Sequence, residues 1–178
     1  MINTIREGIF AWTLKHQATR TVVMPTWDKV RSIAVLYPTD DIQHLIKKME
    51  VSQKDVVLFT MPNKKDICRL TQRPKSEVKE LISARHFDVL IDLTQAPSRT
   101  MQYMAMYVHA DFKVGRHTRE GIYDMTIDTP AQETPDYLFE QIIKYINLLK
   151  YRENNTMTFG AIINRYKIAI DKYNSNLN

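Results

Sequence analysis

From residue 31 onward, short apolar runs alternate with segments whose apolar residues recur at helical spacing. Arg31–Tyr37 is an apolar run stopped by Pro38, and Asp40 or Asp41 can then cap a helix in which Ile42, Leu45, Ile46 and Met49 share a face. Asp55–Thr60 reads as a second strand ended by Pro62, and Ser76 as the cap of a helix carrying Val78, Leu81 and Ile82. Phe87–Leu93 is a third strand, Ser98–His109 a helix, Phe112–Val114 a short fourth strand and Ile122–Ile127 a fifth. Thr134 followed by Pro135 predicts an N-cap and first-turn proline for a helix bearing Leu138, Ile142, Tyr145, Ile146 and Leu149.

Strands alternating with helices of this length imply right-handed crossovers and a mainly parallel sheet. Val56–Phe59 and Val89–Ile91 are continuous apolar runs, as strands covered on both faces require. The predicted fold is α/β: a Rossmann-like three-layer sandwich of about five strands with added terminal helices. The boundaries fall at 1–30 (N-terminal helix and connector), 31–150 (α/β domain) and 151–178 (C-terminal amphipathic helix).

The terminal segments carry patterns of their own. Residues 4–17 suit a helix with Ile5, Ile9 and Trp12 on one face and Phe10 and Leu14 beside them. After the polar break Arg152–Asn155, the residues Phe159, Ile162, Ile163, Tyr166, Ile170 and Tyr173 form an apolar stripe that needs a partner. The helix from Ser98 is apolar nearly all round, so either a terminal helix or a second subunit covers it. These surplus faces predict a homodimer.

Composition narrows the class. A chain of 178 residues, 44% hydrophobic and 25% charged, can bury a sizeable core and is not globally disordered. No apolar run approaches the length of a membrane span, and the single cysteine, Cys68, excludes an internal disulfide framework. Together these predict a cytoplasmic protein without a transmembrane segment. Of the net charge of +5, residues 1–31 contribute +3, residues 151–178 contribute +2, and residues 32–150 balance. Basic residues spread over two ends, without a reading motif, give no expectation of nucleic acid binding. Solvated flanks are the favoured reading, and a membrane-surface role for the N-terminal helix is the lesser one. The motifs of serine hydrolases, P-loop NTPases and dinucleotide dehydrogenases are absent, the five histidines lack zinc-site spacing, and no cofactor or metal is expected.

Candidate chemistry gathers where strands end. Asp92, Asp128 and Asp40 each follow an apolar strand, at the carboxyl edge where parallel sheets bind ligands. Each could hold a ligand or act as a base, or simply cap a loop. Lys113, Gly115, Arg116 and His117 follow in one strand-and-turn segment. Cations, a histidine and a glycine there suit phosphate or carboxylate recognition, a solvated loop being the equal alternative. Lys64, Lys65, Arg69, Arg73 and Lys75 surround Cys68 and would lower its thiol pKa. A nucleophile role is not favoured, since no His–Asn partner pattern accompanies the cysteine.

From about residue 20 to 150 the chain resembles a family of small uncharacterised bacterial proteins, through Val30–Leu36, Phe87–Leu93, Ala110–Arg116, Tyr123–Met125 and Tyr145–Leu149. Phe87–Arg116 is also similar to the N-terminal domain of lipopolysaccharide heptosyltransferases. That likeness implies a catalytic Asp in the position of Asp40 or Asp41, without the family's loop glycine, and leaves no room for the donor-binding second domain. The leading expectation is a non-enzymatic module acting through protein contacts or a small anionic ligand, such as a phosphorylated or nucleotide-sugar molecule. The alternative is a glycosyltransferase-like enzyme completed by a partner subunit, with Asp40 or Asp41 as base and Arg116 on phosphate.

Overall fold

A computed structural model describes residues 2–17, 22–37, 43–50, 53–95, 98–116, 121–128 and 134–153. Its strands are β1 (Ser32–Leu36), β2 (Asp55–Phe59), β3 (His86–Asp92), β4 (His109–Arg116) and β5 (Met125–Ile127). They form one sheet in the order β2-β1-β3-β4-β5, with every neighbouring pair parallel. Helix α1 (Ile2–Lys15) precedes the sheet, α2 (Gln43–Glu50), α3 (Ser76–Ser83) and α4 (Arg99–Tyr107) connect its strands, and α5 (Pro135–Glu153) follows β5.

Strand alternation feeds two separate cores. Ile33 and Val35 of β1 pack with Leu45 and Met49 of α2 and Leu138 and Ile142 of α5. Ala34 and Leu36, pointing the other way, pack with Phe10 of α1, Ile82 of α3 and Met104 of α4. This is the three-layer α/β arrangement that the alternating pattern predicts. On the first face α2 and α5 run in the same direction, since His44 Nε2 meets Asp136 Oδ2 at 2.7 Å and, one turn later, Lys48 Nζ meets Glu140 Oε1 at 2.8 Å.

From β1 the chain steps outward to β2 and then returns past β1 to β3, so the connections leave the β1/β3 boundary on opposite faces. Such a reversal opens a crevice at the carboxyl ends of these strands.

The local expectations meet the structure unevenly. Ser98 caps α4 by accepting from the Met101 amide at 3.3 Å, and Thr134 caps α5, accepting from the Tyr137 amide at 3.3 Å, with Pro135 as its first residue. Ser76 is not a cap: Lys75 holds that position, and Ser76 lies inside the helix. Strand β4 is far longer than the predicted Phe112–Val114, because the chain leaves α4 at Val108 and His109 already pairs with His86. The all-round apolar α4 is buried as expected, and a terminal helix does cover it: the rings of Phe10 and Tyr103 meet edge to face at 5.1 Å. Helix α1, however, faces inward with Phe10 and Leu14, while Ile5 and Trp12 point to solvent. The C-terminal stripe from Phe159 lies outside the described residues.

Candidate functional site

The last rungs of the sheet align Phe59, Leu36, Asp92, Gly115 and Thr126 across its carboxyl edge. Asp92 is buried there at 2% exposure. Its Oδ1 accepts from the Thr94 amide at 2.9 Å, and its Oδ2 accepts from the Tyr123 hydroxyl. Burial pushes the carboxyl pKa upward, and the bonds from Tyr123 and Thr94 oppose that rise without cancelling it. Burial and then the adjacent carboxylate push the Tyr123 phenol well above its ordinary range, so it remains a donor.

Gly115 makes this pair possible. A Cβ on it would stand 3.1 Å from the Asp92 Cβ and 3.1 Å from two atoms of the Tyr123 ring. The expected turn at Gly115 is absent: the residue lies within β4, and its special property is room for a ring crossing the strand. The ring arrives on the return from β4 to β5, where Asp124 fastens the segment to the edge of β4. The Asp124 amide donates to the Lys113 carbonyl at 2.8 Å, and the Lys113 amide donates to Asp124 Oδ2 at 2.7 Å.

The remaining edge residues diverge. The Lys113 ammonium is buried and donates to the Ala105 and Met106 carbonyls at 2.7 and 3.2 Å, closing the last turn of α4. Arg116 is buried at the end of β4, paired in register with Ile127. By alternation it falls on the face of Val114, opposite that of Gly115 and Asp92. Asp128 follows β5 and is exposed. Asp40, Asp41 and His117 lie outside the described residues. The structure thus brings together Asp92 and Gly115, adds Tyr123, and turns Lys113 toward a helix end.

A second feature lies in the connection from β2 to α3. An open cavity of about 440 Å³ is lined by Lys64, Lys65, Ile67, Cys68, Arg69 and Lys75. Its frame is a tight hairpin. The Cys68 amide donates to the Arg73 carbonyl at 2.8 Å, the Lys75 amide to the Asp66 carbonyl at 2.9 Å, and Ile67 bridges Pro74. The Gln72 backbone turns through the left-handed region at φ 60°, and its carbonyl accepts from the Thr100 hydroxyl at 2.9 Å, which ties the hairpin to α4. From α1, the Arg6 guanidinium donates to the Leu70 and Arg69 carbonyls at 2.8 and 3.0 Å. The half-buried Cys68 thiol has its pKa lowered by the Thr71 hydroxyl, then by the Thr71 and Leu70 amides; burial opposes them, and the Arg73 charge adds to the lowering. The basic run around Cys68 is legible in sequence. Its closure into a cavity is not, because that needs the pairing of Ile67 with Pro74 and the anchor from Arg6.

Among the described residues no group of three His, Cys, Asp or Glu side chains is placed to hold a metal ion, and no helix is long and apolar enough to cross a membrane.

A family model described as a family of unknown function, DUF6913, matches residues 9–149. The chain belongs to this family. No match to a curated protein or to a solved structure was found, and the likeness to heptosyltransferases has no counterpart among these comparisons. The matched span begins inside α1 and ends within α5, so it takes in the whole sheet, the Asp92–Tyr123 pair and the basic hairpin.

Proposed function

We propose that the protein is a non-enzymatic binding module for a small anionic ligand, of the phosphorylated-metabolite or nucleotide-sugar class, seated in the cavity between β2 and α3. The observation that carries this reading is the composition of the cavity wall: Lys64, Lys65, Arg69 and Lys75 line it, and none of its six lining residues is acidic. Its volume of about 440 Å³ suits a ligand of that size. The hairpin is held from α1 and α4, so the cations are presented on a framed loop. Phosphate oxygens would take the guanidinium fork of Arg69 and the lysine ammonium groups, while Ile67 offers an apolar wall.

The glycosyltransferase-like alternative takes Asp40 or Asp41, which lie outside the described residues, as base and Arg116 on phosphate, with Asp92 the buried acid of the carboxyl edge. Both Asp92 oxygens, however, already accept hydrogen bonds from the protein, and by alternation Arg116 belongs to the other face of the sheet. The anion-binding reading is therefore the better supported.

Thermal shift and calorimetric titration with inorganic pyrophosphate, sugar phosphates and nucleotide sugars test it. A ligand at 100 times its Kd should add about 2.7 kcal/mol of stability. Binding should weaken with added salt and be lost in a Lys64→Gln, Lys65→Gln, Arg69→Gln variant that remains folded. No shift with any of these anions, or undiminished binding by that variant, rejects the reading.

A further inference from the structure

We infer that the solvent-facing stripe of α1 is the seat of the C-terminal segment 159–173 of a second copy of the chain. Ile2, Ile5 and Trp12 are 56%, 46% and 61% exposed, and half-buried Ile9 completes the row. The row recurs at alternating steps of three and four residues, the spacing by which one helix seats another. It is the outer face of a helix whose inner face is already used: Phe10 is wholly buried against α4. The His16 ring stacks on Trp12 at a centroid distance of 4.4 Å and lengthens the apolar surface by one turn.

The other end of the chain supplies a matching occupant. Phe159, Ile163, Tyr166, Ile170 and Tyr173 repeat at steps of four and three, so the segment carries a stripe of matching period and length. The whole 159–173 segment and the first half of the α1 stripe, Ile2 and Ile5, lie outside the matched span 9–149, while Ile9 and Trp12 lie inside it.

The layers of the fold favour a second copy over the segment's own chain. Helix α5 packs on the sheet face of α2, whereas α1 packs on the opposite face over α4. Five residues, 154–158, separate the end of α5 from Phe159. The six steps from Glu153 to Phe159 reach at most about 22 Å when fully extended. The distance from one helical layer to the other is two interlayer spacings of about 10 Å each, before any path around the sheet edge. A neighbouring molecule sets no such limit, and reciprocal seating of two segments on two α1 helices closes a two-fold dimer.

Light scattering on the full chain, with two full-length variants, tests this. Ile5→Glu with Trp12→Glu alters only the solvent face of α1, and Ile163→Glu with Ile170→Glu alters only the C-terminal stripe. The expected result is a wild type with the mass of two chains and both variants with the mass of one, each keeping the circular dichroism spectrum of the monomer fold. A monomeric wild type overturns the inference, and a matching drop in melting temperature in both variants would then place the segment on its own α1. A dimer that survives the α1 substitutions overturns the seat. One that survives the C-terminal substitutions overturns the occupant.

Discussion

Asp92 is an acid that the fold holds away from water, so its cost to the native state depends on pH. Its folded pKa lies above its ordinary value. The neutral form is therefore the one that folding favours, and its contribution is full below the ordinary carboxyl range and falls away as pH rises through the raised pKa. The Tyr123 hydroxyl offsets part of that loss by donating to the ionised oxygen. Tyr123→Phe removes the donor and should cost about 1–3 kcal/mol near neutral pH, and clearly less in acid where Asp92 is protonated. Urea unfolding of both proteins at the two pH values measures this; an equal cost at both would show that the phenol does not act on the ionised carboxyl. Gly115→Ala addresses the same pair sterically. Its new Cβ meets a ring fixed by the bond to Asp92, so the strand or the ring must shift by a few tenths of an ångström. We expect a loss of about 1–3 kcal/mol, read as a lower urea midpoint with unchanged slope. An unaltered midpoint would show that the ring yields freely. The sequence marks Asp92, a polar residue closing a continuous apolar strand. Tyr123 cannot be foreseen, because its position depends on how residues 121–124 return along β4.

At the scale of elements, periodicity reveals which segments are helices better than it reveals which way they face. Helix α5 obeys it, with Leu138, Ile142 and Ile146 fully buried as the spacing predicts. Helix α1 does not, although Ile5, Ile9 and Trp12 form its more regular stripe. Its orientation is set by Phe10, which fits against Tyr103 and under the Arg99 guanidinium, 4.0 Å from the ring centroid, and by Arg6, which reaches the carbonyls of the basic hairpin. These contacts involve residues far along the chain, so no local pattern contains them. Lys113 teaches a related lesson. Read as part of a cationic turn, it suits an anion, but β4 is a strand buried on both faces, and a lysine at such a position must find partners inside. The open carbonyls at the end of α4 supply them. A longer fourth strand would have been the signal.

For the whole molecule, the parallel, two-faced sheet follows from alternating runs and right-handed crossovers, and so was legible in outline, whereas the strand order β2-β1-β3-β4-β5 was not. What the pattern does not decide is whether the N-terminal segment is an appendage or part of the domain. The packing bears on this. Phe10 has no exposed surface and joins Leu36, Leu90 and Met104 in one apolar cluster with β1, β3 and α4. Arg99, at the start of α4, is ion-paired with Glu7 of α1, and Arg6 secures the basic hairpin from the same helix. If α1 is integral, removing its anchor should weaken the entire sheet. Phe10→Ala should cost about 3–5 kcal/mol, within one cooperative transition. Hydrogen exchange locates the effect: amides of Leu90 and Ile91 in the central strand should lose protection together with those of α1. Loss confined to α1, with β3 still protected at the wild-type level, would show that the helix docks and releases independently of the sheet. The same measurement bears on the basic hairpin, because a chain in which α1 opens alone would also lose the Arg6 contacts that frame the cavity.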